Sequence, residues 1–386
     1  MADFVFRMLT RVMYGRGAVN RLGEECRKLG AAKVLLVADS YMVRNSPAFP
    51  LVEKVLKDAG MTVEVFADIE ADPSVETVDK GAALMREWQG DMVVALGGGS
   101  PMDAAKSICM LRTNPGSIRE YMRKERTIVT AAIPLICIPT TAGTGSEVTA
   151  GAVTTDKQAG EKIGVSHDSM MARLAIIDPE LHASMPPALT ASTGLDALCH
   201  AIEAYISTEA EPISDALCLH AIRLIGENLR KAVANGRDIE TRGKMALASL
   251  VAGAAFTNVG LGAVHAIAHC LGAMYKVPHG VANAMLLPYV MEFNVMADMA
   301  KFREIAIALG ENTAGLSLQE AAAKAVEAVR RLNRDVGVPR TLKEVGVTAG
   351  DFPTIVENSI TYRLLPCNPR TVSEKDIENI LQNAMG

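Results

Sequence analysis

Residues 92–110 read MVVALGGGSPMDAAKSICM. The first five are apolar and β-rich, Gly97, Gly98 and Gly99 follow, and 104–110 have helical character. A strand running through a glycine turn straight into a helix is half of a βαβ unit. Pro101 suits the first turn of that helix, where its missing N–H is not needed. The glycines allow a phosphate to approach the backbone, and the free N–H groups and helix dipole favour its charge. An ordinary tight turn is the alternative, but three consecutive glycines exceed what such a turn needs. The order is neither G-x-G-x-x-G nor the G-K-[ST] ending of a P-loop, which disfavours a kinase or ATPase.

Outward from this turn, short β-rich runs at 33–38, 62–66, 91–96, 135–138 and 174–177 alternate with helical periodicity at 49–58, 75–88 and 101–111. That alternation predicts a mostly parallel sheet covered by helices. From 188 onward Ala- and Leu-rich helical segments follow one another without a convincing strand, and Thr190 or Ser192 is expected to cap the first. A chain of 386 residues also exceeds the size at which one core stops growing. The expected division is an α/β domain over 1–186 and an all-helical domain over 187–386, with a cleft between such domains a common place for an active site.

Lys plus Arg number 39 and Asp plus Glu 44, a formal charge of -5. Such mild acidity provides no general attraction to nucleic acid or to an anionic membrane, so a small-molecule partner is expected. Residues 1–15 lack the apolar run and cleavage site of a signal peptide, and no stretch approaches the roughly eighteen apolar residues of a spanning helix. Seven cysteines without a C-x-x-C pair argue against a disulfide framework or a thiolate zinc site and for a reducing cytoplasm.

The helical half holds a second constellation. Asp196 and His200 are four apart in a helical segment, His265 and His269 repeat that spacing, and His279 follows Pro278 on an expected turn. Residues four apart share a helix face. A carboxylate with imidazoles and no thiolate suits Fe2+ or Zn2+ better than Ca2+ or Mg2+. For any one histidine a packing role is the simpler reading; the set points to a metal. Spacing alone does not separate His265 from His269. No G-x-S-x-G is present, and Cys199 and Cys270, each beside a candidate ligand, read as packing residues. The polar loop PTTAGTGSEVT at 139–149 either holds phosphate and ribose or starts a capped helix.

Together, G-G-G-S-P-x-D from Gly97, T-T-A-G-T from Thr140, G-x-D-A-x-x-H from Gly194, H-x-x-x-H from His265 and P-H-G from Pro278 resemble the iron-containing, group III alcohol dehydrogenases over essentially the whole chain. The likeness extends to the branch of the lactaldehyde reductases and 1,3-propanediol dehydrogenases. It implies a Rossmann-like dinucleotide-binding domain with a helical metal domain, the dehydroquinate synthase-like architecture. It implies hydride transfer between a small primary alcohol, a diol or the matching aldehyde and NAD, in a homodimer or higher homo-oligomer. By resemblance Asp196, His200, His265 and His279 ligate Fe2+ or Zn2+, and His269 lies near the nicotinamide or substrate as a proton relay. Asp39 would meet the adenosine ribose, where its charge repels a 2′-phosphate and favours NAD over NADP. Gly98, Gly99, Ser100 and Asp103 would face the pyrophosphate and its sugar, Thr140, Thr141 and Thr144 the nicotinamide half, and Lys162 the cofactor. Residues 150–153 (AGAV) face the substrate side in the family and here carry no polar side chain. The rivals are a glycerol dehydrogenase-like or other metal enzyme on the same scaffold, and a non-catalytic nucleotide or metal sensor.

Overall fold

The computed structural model describes residues 3–386. They form two compact units, one of 8–141 with Gly145–Ser184 and one of 3–7 with Ala142–Thr144 and Met185–Gly386.

The first unit is built on a six-stranded sheet of β1 (Arg11–Tyr14), β2 (Lys33–Asp39), β3 (Thr62–Ile69), β4 (Met92–Gly97), β5 (Leu135–Pro139) and β8 (Leu174–Ile177). Its order is β1-β8-β5-β4-β2-β3, and every pairing is parallel. β4 and β5 are buried along their whole length, as expected of strands covered on both faces. One core, with Leu35, Val37, Val93 and Met102, fills one side of the sheet; another, with Leu36, Val94, Ile138 and Ile176, fills the other. The chain leaves β2 for β3 on one side and returns as β4 on the opposite side. The carboxyl ends of β2 and β4 therefore flank a topological switch point, the place where open parallel sheets bind ligands.

The five predicted strands are present at 33–39, 62–69, 92–97, 135–139 and 174–177. Three more were not anticipated: the edge strand β1 and an antiparallel pair, β6 (Gly151–Asp156) with β7 (Glu161–Ser166). β1 is four residues long and half exposed, and β6 pairs with a single partner, so neither has the apolar run of a central strand.

The second unit is helical among its described residues. Pro187–Tyr205 begins before Thr190 or Ser192: Pro186 is its N-cap and Pro187 occupies the first turn. Neither hydroxyl caps it. Thr190 Oγ1 and Ser192 Oγ donate instead to the carbonyls of Pro186 (3.0 Å) and Leu189 (3.2 Å). His279 is likewise the first residue of helix His279–Asn294, with Pro278 as N-cap, and not a turn residue. Proline cannot donate to a preceding turn, so it starts helices where the sequence alone suggested a loop.

Candidate metal centre and dinucleotide cradle

Helix Pro187–Tyr205 presents Asp196, His200 and Glu203 on one stripe. Helix Ala263–Tyr275 brings His265 and His269, and His279–Asn294 brings His279 and, one turn on, Asn283. Three imidazole Nε2 atoms converge on Asp196 Oδ1: His279 at 3.7 Å, His200 at 3.9 Å and His265 at 4.0 Å. Ligand atoms held about 2.1 Å from a common ion lie about 3.0 to 3.6 Å apart. Asp196, His265 and His279 bring theirs within 4.8 Å of one another, while His200 meets Asp196 at 3.9 Å but falls outside that mutual group. His269 stands outside it, with its ring 5.2 Å from His279 and 5.3 Å from Tyr362.

Burial works against the charge of Asp196, yet His200, His279, His265 and the Asn283 amide hold its carboxyl below the ordinary value. Burial also lowers His200 and takes His265 well below the imidazole range, which keeps their rings neutral with lone pairs to offer. The Asn283 Nδ2 stands 2.7 Å from Asp196 Oδ1 and 3.1 Å from both His265 Nε2 and His279 Nε2. Two amide hydrogens cannot satisfy three acceptors, and Asn283 Oδ1 is buried without a hydrogen-bond partner among the described residues. A buried set with surplus acceptors fits a bound cation.

The outer nitrogens are also held. His200 Nδ1 lies 3.3 Å from the carbonyl of Gly143, and Phe256 stacks on the His200 ring at 4.5 Å. His265 Nδ1 bonds Glu203 Oε2, whose other oxygen accepts from Val264 N–H at 2.7 Å. Burial pushes the Glu203 carboxyl up to about 7, opposed by the backbone donors beside it. Cys199, Glu203 and His265 also bring possible ligand atoms within 4.8 Å of one another. Glu203 Oε2 and His265 Nδ1 are only 2.5 Å apart, closer than the roughly 3 Å of two ligands on one ion, so this contact is a hydrogen bond. Burial raises Cys199 well above the thiol range, leaving no thiolate. Glu203, Asn283, Phe256 and Tyr362 were not anticipated; D-x-x-x-H-x-x-E, a heptad face, was the legible signal for Glu203.

In the sheet unit, Asp39 ends β2 and Gly97 ends β4, on either side of the switch point. Asp39 Oδ1 accepts from Met42 N–H at 2.7 Å as the cap of helix Ser40–Asn45, while Oδ2 is turned toward Gly97. Gly97 has φ +145, and a side chain there would strike Pro101 at 2.8 Å. Helix Gly99–Thr113 has Gly98 as its N-cap and no side-chain cap, so its first N–H groups face outward for an anion. A Cβ at Gly98 would lie 3.1 Å from Thr141 Oγ1, and Thr140 N–H donates to Gly97 O at 2.9 Å. Thr144 belongs to the helical unit with Ala142 and Gly143. The loop continues as a 3-10 turn over Ser146–Val148.

Ser100 Oγ accepts from Asp72 N–H at 3.2 Å, and Lys162 Nζ donates to Asp72 Oδ2 at 2.6 Å, so Asp72 links two predicted cofactor residues. Asp103 turns toward the protein: Oδ1 accepts from Ser146 Oγ at 2.6 Å and Oδ2 from Val153 N–H at 3.0 Å. Below it the fully buried Lys106 donates to Ser146 Oγ, Thr149 Oγ1 and Gly151 O at 2.7 to 3.0 Å.

Residues 10–179 match the family described as iron-containing alcohol dehydrogenase, and 190–385 the C-terminal part of the Fe-containing alcohol dehydrogenase family. The chain is 42% identical over 372 residues to 1,3-propanediol dehydrogenase of Klebsiella pneumoniae, covering 96% of each. It is 40% identical over 371 residues to NAD-dependent methanol dehydrogenase of Bacillus methanolicus, covering 96% of this chain and 97% of that one. A solved 1,3-propanediol oxidoreductase superposes with TM-score 0.96 at 41% identity, covering all of both chains. The chain belongs to the iron-containing alcohol dehydrogenase family. It is an NAD-dependent oxidoreductase of that family, with an iron-type metal site.

Proposed function

We propose that the chain interconverts small primary alcohols or diols and their aldehydes with NAD(H), at a centre where Asp196, His200, His265 and His279 hold Fe2+ or Zn2+. The observation that carries this reading is the convergence of three buried or half-buried imidazoles on one carboxylate oxygen. A divalent ion there supplies Lewis-acid polarisation of the substrate oxygen, and the nicotinamide carries the hydride. Asp196 contributes the negative charge, and the imidazoles of His200, His265 and His279 contribute nitrogen ligands around it. His269, beside His279 but off the convergence point, passes the alcohol proton toward solvent. The Gly97–Ser100 turn positions the pyrophosphate and Asp39 the ribose, supported by their place at the switch point.

On the substrate side, residues 150–153 carry no polar side chain, and a side chain at Gly151 would meet nothing within 4 Å. Selection there rests on space instead of a hydrogen bond. Diols, whose branch this chain resembles, are the first substrates to try. The homo-oligomer and the reducing cytoplasm expected from the sequence belong to the same reading. The edge strand β1 and the exposed Val5 and Leu9 support the first, and six buried cysteines plus the half-buried Cys367, all free, the second. Among the described residues no single helix is long and apolar enough to cross a membrane.

The test is absorbance at 340 nm with protein stripped by chelator and reloaded with Fe2+ or Zn2+, offered NAD or NADP and a panel of small alcohols and diols. Metal-dependent NADH formation is expected. No turnover in either direction with metal bound would overturn the catalytic reading.

A further inference from the structure

Glu203 lies on the same helix stripe as Asp196 and His200 and is almost wholly buried. Both of its oxygens face donors on another helix: Oε1 takes the N–H of Val264 at 2.7 Å, and Oε2 takes Nδ1 of His265. The residue before that helix is Gly262, where a Cβ would stand 3.1 Å from Glu203 Oε1 and 2.8 Å from Asn368 Oδ1. Asn368 Oδ1 in turn accepts from Ala263 N–H at 3.3 Å. The carboxylate is thus seated against the N-terminus of helix Ala263–Tyr275, where the helix dipole favours its charge.

We propose that Glu203 is the positioning residue of the metal centre, holding the single proton of His265 on Nδ1 so that Nε2 keeps its lone pair for the ion. This rests on the metal-centre reading above. A neutral imidazole has one N–H, and the Glu203 carboxylate in its ionised form, with its other oxygen taken by the Val264 N–H, is an acceptor at Nδ1 that decides which nitrogen bears it. The other nitrogen, Nε2, already faces Asp196 Oδ1 at 4.0 Å and the donating Asn283 amide at 3.1 Å, as an acceptor should. Carboxylates that orient ligating imidazoles in this way typically contribute 10- to 100-fold in metal affinity.

Glu203→Gln separates this role from simple packing. Gln has the same shape, and its one oxygen remains the partner of Val264 N–H at the helix start. Its NH2 then faces His265 Nδ1 as a donor and drives the ring proton to Nε2, the form that cannot ligate. Zn2+ affinity measured by chelator competition should fall about 10-fold or more, with metal-free thermal stability near that of the unchanged protein. The d–d bands of Co2+-loaded protein should change as well. Zn2+ affinity and Co2+ spectra equal to those of the unchanged protein would overturn the proposal. A second measurement needs no variant: 15N-resolved NMR of histidine-labelled, metal-free protein should find the His265 proton on Nδ1, and a proton on Nε2 would overturn it. His265→Ala separates the two readings, because unchanged Zn2+ binding in that variant would remove the metal centre itself.

Discussion

Asp39 ends β2 with one oxygen capping the helix that follows and the other turned to the glycine turn. Asn caps as well as Asp, so Asp39→Asn keeps the cap and removes only the charge. At about 4 Å and an effective dielectric constant between 20 and 80, that charge opposes a 2′-phosphate by about 1 to 4 kcal/mol. The ratio of kcat/KM for NADP to that for NAD should rise about fivefold or more, and an unchanged ratio would remove Asp39 from the ribose site. His269 poses a different question, because spacing pairs it with His265 while the fold places it beside His279 and Tyr362. His269→Ala should lower kcat about 100-fold, as loss of a proton relay does. Bound metal, read by atomic absorption, should stay constant; its loss would make His269 a ligand.

At the scale of elements, the metal centre depends on how closely helix His279–Asn294 approaches helix Pro187–Tyr205. A Cβ at Gly280 would fall 2.2 Å from the carbonyl of Ser192 and 3.2 Å from Asp196 Cβ. Backbone cannot yield as a flexible side chain does, so Gly280→Ala must push the helices apart beside two candidate ligands. Overpacking of this kind costs about 1 to 3 kcal/mol. A lower melting temperature together with lost metal is expected in circular dichroism and metal analysis, and neither change would mean that the contact tolerates a methyl group. The sheet elements show why some of the fold was legible and some was not. β2, β4 and β5 are buried apolar runs that announce themselves. The half-exposed edge of β1 and the lone β6–β7 hairpin have weaker patterns than the buried central strands.

For the molecule as a whole, acid is an informative stress on the sheet unit. Arg119 donates to both oxygens of Asp156, and this, ahead of the backbone donors, takes its carboxyl from the ordinary value of 3.8 to about 2. A group whose folded value is depressed adds stability above its unfolded value and loses it as pH falls through the folded one. Asp156→Asn should therefore lower stability at neutral pH and flatten the decline between pH 4 and 2 in acid titrations followed by circular dichroism. An unchanged acid limb would assign that decline to other carboxylates. The sequence alone determined the α/β-then-helical order, the glycine turn, and the pairing of Asp196 with His200 and of His265 with His269, since periods of 2 and 3.6 are local properties of the chain. Which imidazole faces Asp196 was decided by tertiary structure, as were the partners Glu203 and Asn283. Glu203 meets His265 across 62 residues and Asn283 meets Asp196 across 87. A ring's direction at such separations follows from how helices cross and from buried polar groups finding partners, which no local pattern encodes.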